Sequence, residues 1–339
     1  MVRPITRAEL LAATVALALL GAVPFFVSNL YVLHVLILAL IYATFGIGWG
    51  FLVGEVGLKS FGHQAFFGIA AYTSALLSIR LGLDPWLSIP VAVAAAGAAG
   101  LLMALPSLQI KSVAHLAIVS LAFAEIVRIT CANLEDLTNG EIGLWGIKPL
   151  SDILIPGLAV IRFSPAEKFG YYLVAFAMLV GAVVAVALLS RSRFGLAITA
   201  IRDAEPAAES LGINLASYKV WAFTISAVIV GFSGAFYAHY ILLLTPTSVL
   251  GPDVMISVIA IVLVGGLGSV AGTIVSALLL AFAGEALRDF GDYRMIIYGA
   301  LIILVMRFAP RGLYGAVAPW LARASRTGRA RQGGIGGAA

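Results

Sequence analysis

The sequence predicts an all-α polytopic membrane protein of about ten transmembrane helices, including short or glycine-broken segments, with one further short helix on the cytoplasmic side. Three observations carry this. Of 339 residues, 62% are hydrophobic and only 11% charged, with a mean hydropathy of +1.06; soluble domains hold roughly 25% charged residues, so the bilayer must act as solvent. Long apolar runs recur along the chain, and the basic residues gather between and after them.

The apolar runs are Leu10–Val27, Leu30–Val53, Leu58–Ile79, Pro85–Leu108, Val113–Asn133, Phe169–Ser190, Val220–Leu243, Val254–Ala283 and Met295–Phe308. At about 1.5 Å per residue each covers a hydrocarbon core of roughly 30 Å, the last only marginally. Arg3 and Arg7 precede the first run and no small-residue cleavage site follows it, so it is a retained span. The island at 191–219 has four basic residues, and the end of the chain has six arginines (Arg307, Arg311, Arg323, Arg326, Arg329, Arg331) without an acid. Both therefore belong in the cytoplasm. Nine crossings from an inside amino terminus would leave the tail outside. The 30 residues of Val254–Ala283 are interrupted by G-G-L-G-S-V-A-G from Gly265 to Gly272, and two helices meeting there would bring the crossings to ten. The organisation is a single transmembrane domain over 1–313, with a cytoplasmic loop at 191–219, an external loop at 134–168 and a basic, disordered tail at 314–339.

In the island, Asp203 is placed to cap a helix, Pro206 suits a first turn and Gly212 a stop, so Ala204–Leu211 reads as a helix of two turns. Ala207, Ala208 and Leu211 would share one face, two small residues beside a knob, while Glu205, Glu209 and Ser210 face water. A docking helix and an ordinary surface linker both fit this pattern. The external loop, with Glu135, Asp136, Glu141, Asp152 and Glu167 against three basic residues, is either a landing surface for an outside partner or a solvated loop.

Enzymatic function classes find no support. The chain lacks G-x-x-x-x-G-K-[ST], H-E-x-x-H and G-x-S-x-G, so any ATP must be hydrolysed elsewhere. Cys131 is the sole cysteine, the four histidines have no ligand spacing, and the basic residues flank apolar spans, which argues against a metal site and against nucleic acid. Glu125 and Arg128, three apart within a span, form either a structural pair or part of a pathway. Gly54, Gly57, Gly62 and Gly68, and later Gly265, Gly266, Gly268 and Gly272, mark close helix contact or irregular backbone, which a bilayer tolerates only where protein or a watery cavity surrounds it. Broken segments of this kind are where transporters hold substrate. Ser60, His63 and Gln64 are thus candidates for the pathway or, equally, for hydrogen bonds between helices.

Six ordered blocks, G-L-K-S-F-G-H-Q-A-F-F-G-I-A-A-Y, L-A-F-A-E-I-V-R, L-T-N-G-E-I-G-L-W-G-I, A-I-R-D-A-E-P-A-A-E-S-L-G-I-N-L-A-S-Y-K, V-G-G-L-G-S-V-A-G-T and F-A-P-R-G-L, span 57–313 and resemble the LivM-type permeases of branched-chain amino-acid uptake. The resemblance implies a bacterial inner-membrane ABC importer working by alternating access. Its parts would be two related permeases, two cytoplasmic ATPases that bind ATP and Mg, and a soluble binding protein outside, with no cofactor on this chain. It also makes the loop holding Arg202, Asp203, Glu205, Ala207, Ala208, Leu211 and Gly212 the contact with the ATPase. The importer pattern E-A-A-x-x-x-G falls here on Pro206-Ala207-Ala208 and Gly212, so its first acid is missing, and Asn139 stands where relatives often carry glycine. Similar permeases carry urea and short amides. A stand-alone carrier or channel would need its own ion site, for which Glu125 is nearly the only intramembrane acid.

Overall fold

The computed structural model describes residues 7–27, 29–110, 112–155, 159–164, 166–287, 293–308 and 312. The expected tail at 314–339, with Arg323, Arg326, Arg329 and Arg331, lies outside the described residues, as do Arg3 and Arg311.

Helix α1 (Arg7–Phe26) is followed by α2 (Leu30–Gly50), started by Asn29, whose Oδ1 accepts the Tyr31 N–H at 2.9 Å. The chain continues from Gly50 as a π-helical stretch, Phe51–Val56, which ends on Gly57 at φ +82°. Residues 57–63 are irregular and α3 (Gln64–Arg80) begins only at Gln64, so the expected span Leu58–Ile79 is corrected: its first six residues are not helical. The break persists because neighbouring helices satisfy its backbone. Trp49 Nε1 donates to Ser60 O at 2.6 Å, and Phe61 N–H donates to Ser120 Oγ at 2.8 Å.

Asp84 caps α4 (Pro85–Gln109), accepting from Trp86 N–H, and Pro85 opens the helix, where its missing N–H costs nothing. The external segment after α5 (Val113–Asn133) is a structured cap holding α6 (Glu135–Thr138), a 3₁₀ turn at Gly140–Ile142, and antiparallel β1 (Ile153–Ile155) and β2 (Ala159–Ile161) with Ile153 opposite Ile161. Those two strands depart from an all-α chain. Then come α7 (Phe169–Arg191), α8 (Arg193–Asp203), α9 (Glu205–Ser210), α10 (Leu215–Ile241), α11 (Pro246–Leu250), α12 (Pro252–Gly265), α13 (Val270–Ala286) and α14 (Tyr293–Phe308).

Helices α3, α4 and α10 form the central trio. Their seam uses small residues: a Cβ on Gly231 of α10 would lie 2.6 Å from Ala96 Cβ of α4, close packing that membrane helices use in place of a hydrophobic drive. Six segments among the described residues are long and apolar enough to cross a membrane by length and composition: α2 with its π-helical extension, α4, α5, α7, α10, and α11 with α12. The chain is an integral membrane protein.

Contacts sort the helix ends onto two sides. On one, Arg202 of α8 donates to Gly54 O at 2.9 Å and a Cβ on Gly54 would lie 2.8 Å from Gly268 Cα. On the other, Arg80 Nη2 donates to Asp136 O at 2.6 Å and His239 Nδ1 to Lys148 O at 2.8 Å. The run Val254–Ala283 is indeed broken, and its glycine turn (266–269) faces the α8–α9 end. At the start of α11, Thr245 and Ser248 close a capping box.

Candidate functional site

Two polar clusters stand out, one at the α8–α9 end and one around the break at 57–63. Ser192 starts α8 by accepting the Gly195 N–H at 3.3 Å. Ala197, Ile198 and Ile201 turn inward, anchoring an amphipathic helix that the sequence reading took as part of a polar loop. Asp203 closes α8 and pairs with Arg202 at 3.0 Å, so it does not cap the next helix. Ala204, extended at φ −157°, separates the two, and α9 covers Glu205–Ser210, shorter than the expected Ala204–Leu211. Gly212 at φ +81° ends it as expected, and Ile213 N–H returns to Ala208 O at 3.1 Å.

The expected single face of Ala207, Ala208 and Leu211 is also corrected. Ala208 is buried against the body, whereas Ala207 is exposed and Leu211 is 80% exposed. A short helix needs one face to hold it in place, and Ala208 supplies that face, leaving Leu211 as the outward knob. Glu205 is not simply solvated: its Oε1 lies 2.6 Å from Nζ of Lys219, whose side chain is only 8% exposed in the first turns of α10. A lysine so buried is tolerable only when paired. Lys219 escaped the sequence reading because α10 starts at Leu215, five residues before the expected Val220. Arg202 lies over Gly57, where a Cβ would meet its Cγ at 2.8 Å. Arg202, Glu205 and Lys219, with Val56, Gly57, Leu58, Ile110, Leu116 and Ile201, border a cavity of about 160 Å³.

In the second cluster the structure brings Ser60 and His63 together with Ser226 of α10, which the sequence reading missed. His63 Nδ1 is 2.9 Å from Ser60 Oγ and Nε2 2.9 Å from Ser226 Oγ, while Ser226 donates to Gly48 O at 2.8 Å. Because the Ser226 hydroxyl spends its proton on Gly48, His63 carries its proton on Nε2 and accepts from Ser60 at Nδ1. Ser60 and His63 are thus tied by hydrogen bonds to α10 and, through Ser226, to α2. Gln64 is buried with no hydrogen-bond partner on Oε1. Gly265, Gly266 and Gly268 stand apart from this cluster; Gly268 meets Gly54 instead. Glu55, missed as well, is buried and lines a small pocket with Phe51, the end of the glycine turn (Gly268, Ser269) and the start of α13 (Val270, Thr273).

The bond pattern distinguishes two fully buried serines of α10. Ser226→Ala strands the His63 proton, while Gly48 O keeps the Phe51 N–H, and is expected to cost about 1–3 kcal/mol. Ser233 donates only to Val230 O in its own helix, so Ser233→Ala should cost less than about 1 kcal/mol. Thermal unfolding of the two solubilised variants at one scan rate checks the ordering.

Glu125 and Arg128 pair on α5, with Nη2 to Oε1 at 2.5 Å, and Arg128 also reaches Glu141 at 3.8 Å. The pair sits on an open face: the Glu125 side chain is 45% exposed, beside Ile118, Leu121, Ile126 and Ile129. Only 17% of the membrane window of α5 is buried, against 67% for α2. Ionisable residues within a span almost always face protein or water, and because Arg128 reaches Glu141 of the external cap, this pair lies toward the outer end of α5.

Residues 31–306 match the family model described as branched-chain amino acid transport system / permease component. The chain is 36% identical over 326 residues to the high-affinity branched-chain amino acid transport system permease protein LivM of Escherichia coli, covering 90% of this chain and 75% of the relative. It is 25% identical over 297 residues to LivH of the same organism, covering 81% and 91%. A nucleoside ABC transporter permease, NupC of Lactococcus lactis, is 28% identical over 207 residues, covering 55% and 60%. No solved structure matches the chain significantly. With the family match running from α2 to α14 over a bundle of apolar helices, the chain belongs to the branched-chain amino acid transport permease family.

Proposed function

We propose that this chain is one of two different permease subunits of an ATP-driven importer for branched-chain or similar hydrophobic amino acids in the bacterial inner membrane. The observation that carries the reading is the 36% identity to LivM over 90% of the chain, with LivH as a second, more distant permease relative. Ten crossings, with both ends of the chain on the α8–α9 side in the cytoplasm, fit the alternating helix directions. Two cytoplasmic ATPases would dock on the outward side of α9, at Ala207 and Leu211. A binding protein would land on the external cap at 134–168.

The pathway would run along the open face of α5, where Glu125 and Arg128 offer opposite charges to a zwitterion and Ile118, Leu121 and Ile126 offer apolar contact to its side chain. The sister permease would cover this face. Ser60 and His63 would serve as a joint beside the pathway, and Gly265, Gly266 and Gly268 as the tight turn behind it. Binding of ATP would close the ATPases and shift the permease from outward to inward facing, which requires that the nucleotide-bound ATPase prefer one permease state.

Uptake of radiolabelled leucine and urea into proteoliposomes holding both permeases, the ATPases and the binding protein tests the reading. ATP-dependent leucine uptake is expected. Urea or nucleoside uptake in its place would move the substrate, and ATP-independent uptake by this chain alone would overturn the importer reading in favour of a stand-alone carrier or channel.

A further inference from the structure

The α8–α9 unit is tied to the membrane bundle at two charged points, and those points are themselves joined. Glu205 of α9 binds Lys219 of α10 at 2.6 Å, and Arg202 of α8 donates to Gly54 O in the π-helical end of α2 at 2.9 Å. Seven residues along α10 from Lys219, about two turns deeper, Ser226 donates to Gly48 O of α2 and meets His63, which holds Ser60 in the break at 57–63. The contacts close a ring: α9 to α10, α10 to the end of α2 and its break, and these back to α8. Closed rings of hydrogen bonds and ion pairs transmit displacement, since no member moves without lengthening two contacts.

We propose that Lys219 and Arg202 are positioning residues for the transport cycle, Lys219 passing displacement of α9 to α10 and Arg202 passing it to the π-helical end of α2. This rests on the docking of ATPases on α9. Three features suit the role. The Lys219 side chain is only 8% exposed, so its end of the bond to the half-exposed Glu205 is shielded from water and salt. A π-helical stretch is a rare, easily rearranged geometry found at functional sites, and here it ends on a left-handed glycine. The cavity of about 160 Å³ bordered by Arg202, Glu205 and Lys219 leaves the unit space to shift against Ile110 and Leu116.

The test uses the complete transporter in proteoliposomes, measuring leucine uptake and ATP hydrolysis in the same vesicles. Lys219→Met is expected to keep the ATPases bound through purification and to keep basal hydrolysis, while leucine moved per ATP falls about tenfold or more, the size of an ordinary coupling between two sites; Glu205→Ala should lower the same ratio, read per ATP hydrolysed by the ATPases it retains. Exchanging the charges, Glu205→Lys with Lys219→Glu, should restore a substantial part of the ratio, which a purely structural loss would not. If Lys219→Met fails to insert, the exchange variant compared with Glu205→Ala decides, both read per ATP hydrolysed by the retained ATPases, because Glu205 is half exposed and its loss leaves the fold intact. An unchanged ratio in the single variants, or an exchange variant no better than either, overturns the proposal. A wild-type assembly that neither binds ATPases nor couples ATP to uptake overturns the importer reading, and the proposal falls with it.

Discussion

Leu211→Asp is expected to abolish ATP-driven uptake while leaving the protein folded in the membrane. Leu211 is 80% exposed, so replacing it removes almost no packing from the subunit itself. Its effect falls on whatever covers it. Burying a leucine stabilises an interface by about 1.5–3 kcal/mol, and an unpaired carboxylate in its place adds a desolvation penalty. Together these come to at least about 3–4 kcal/mol, or some 10²–10³ in the association constant of the ATPase. Co-purification of the ATPases and leucine uptake, measured on equal amounts of membrane-inserted variant, check this. Normal uptake would sink the docking role of α9.

The neighbouring alanines sharpen the test, because the structure separates residues that helical spacing placed together. Ala207 is exposed and Ala208 is 2% exposed. Ala207→Trp should lose ATPase binding with normal insertion, whereas Ala208→Trp should dislodge α9 from the bundle and lower the thermal stability of the subunit even without ATPases. Equal behaviour of the two variants would contradict the orientation of α9.

Glycine positions were the most legible part of the fold in the sequence. Gly212 ends α9, Gly57 ends the π-helical stretch, and Gly265–Gly272 breaks the long apolar run, because left-handed or tightly approached backbone excludes side chains. Less legible was everything whose meaning lies across the fold. Ala197, Ile198 and Ile201 recur at helical spacing, but the flanking arginines hide α8 as a polar loop until Ser192 is seen to cap it. Lys219 reads as a flanking charge until Glu205, 14 residues earlier, folds back onto it. Among the described residues His63 has one local side-chain hydrogen-bond partner, Ser60; its second, Ser226, is 163 residues away, a separation that no spacing rule reaches. The Glu125–Arg128 pair was legible since i and i+3 adjoin on a helix, but its open exposure depends on which faces of α5 the other helices cover.

Gly272→Val is expected to prevent the α12–α13 hairpin from closing. Gly265 and Gly272 face each other across the hairpin at backbone distance: a Cβ on Gly265 would lie 2.5 Å from the carbonyl carbon of Gly272, and one on Gly272 would strike the Gly265 carbonyl oxygen. Neither obstacle is the end of a flexible side chain, so the helices must separate. Overpacking of this kind costs about 3 kcal/mol, and membrane helices have no hydrophobic drive between them to offset it. The damage would also spread, because Gly268 in the turn abuts Gly54, whose carbonyl receives Arg202. Prying the hairpin open therefore displaces the seat of α8 as well as α13. Gly181 of α7 is the control: nothing lies within 4 Å of a Cβ built there, and alanine favours a helix over glycine by up to about 1 kcal/mol, so Gly181→Ala should be neutral or stabilising. Size-exclusion profiles and thermal unfolding of the solubilised subunits separate the two outcomes. A Gly272→Val protein as monodisperse and as stable as Gly181→Ala would mean that the two helices do not meet at their glycines.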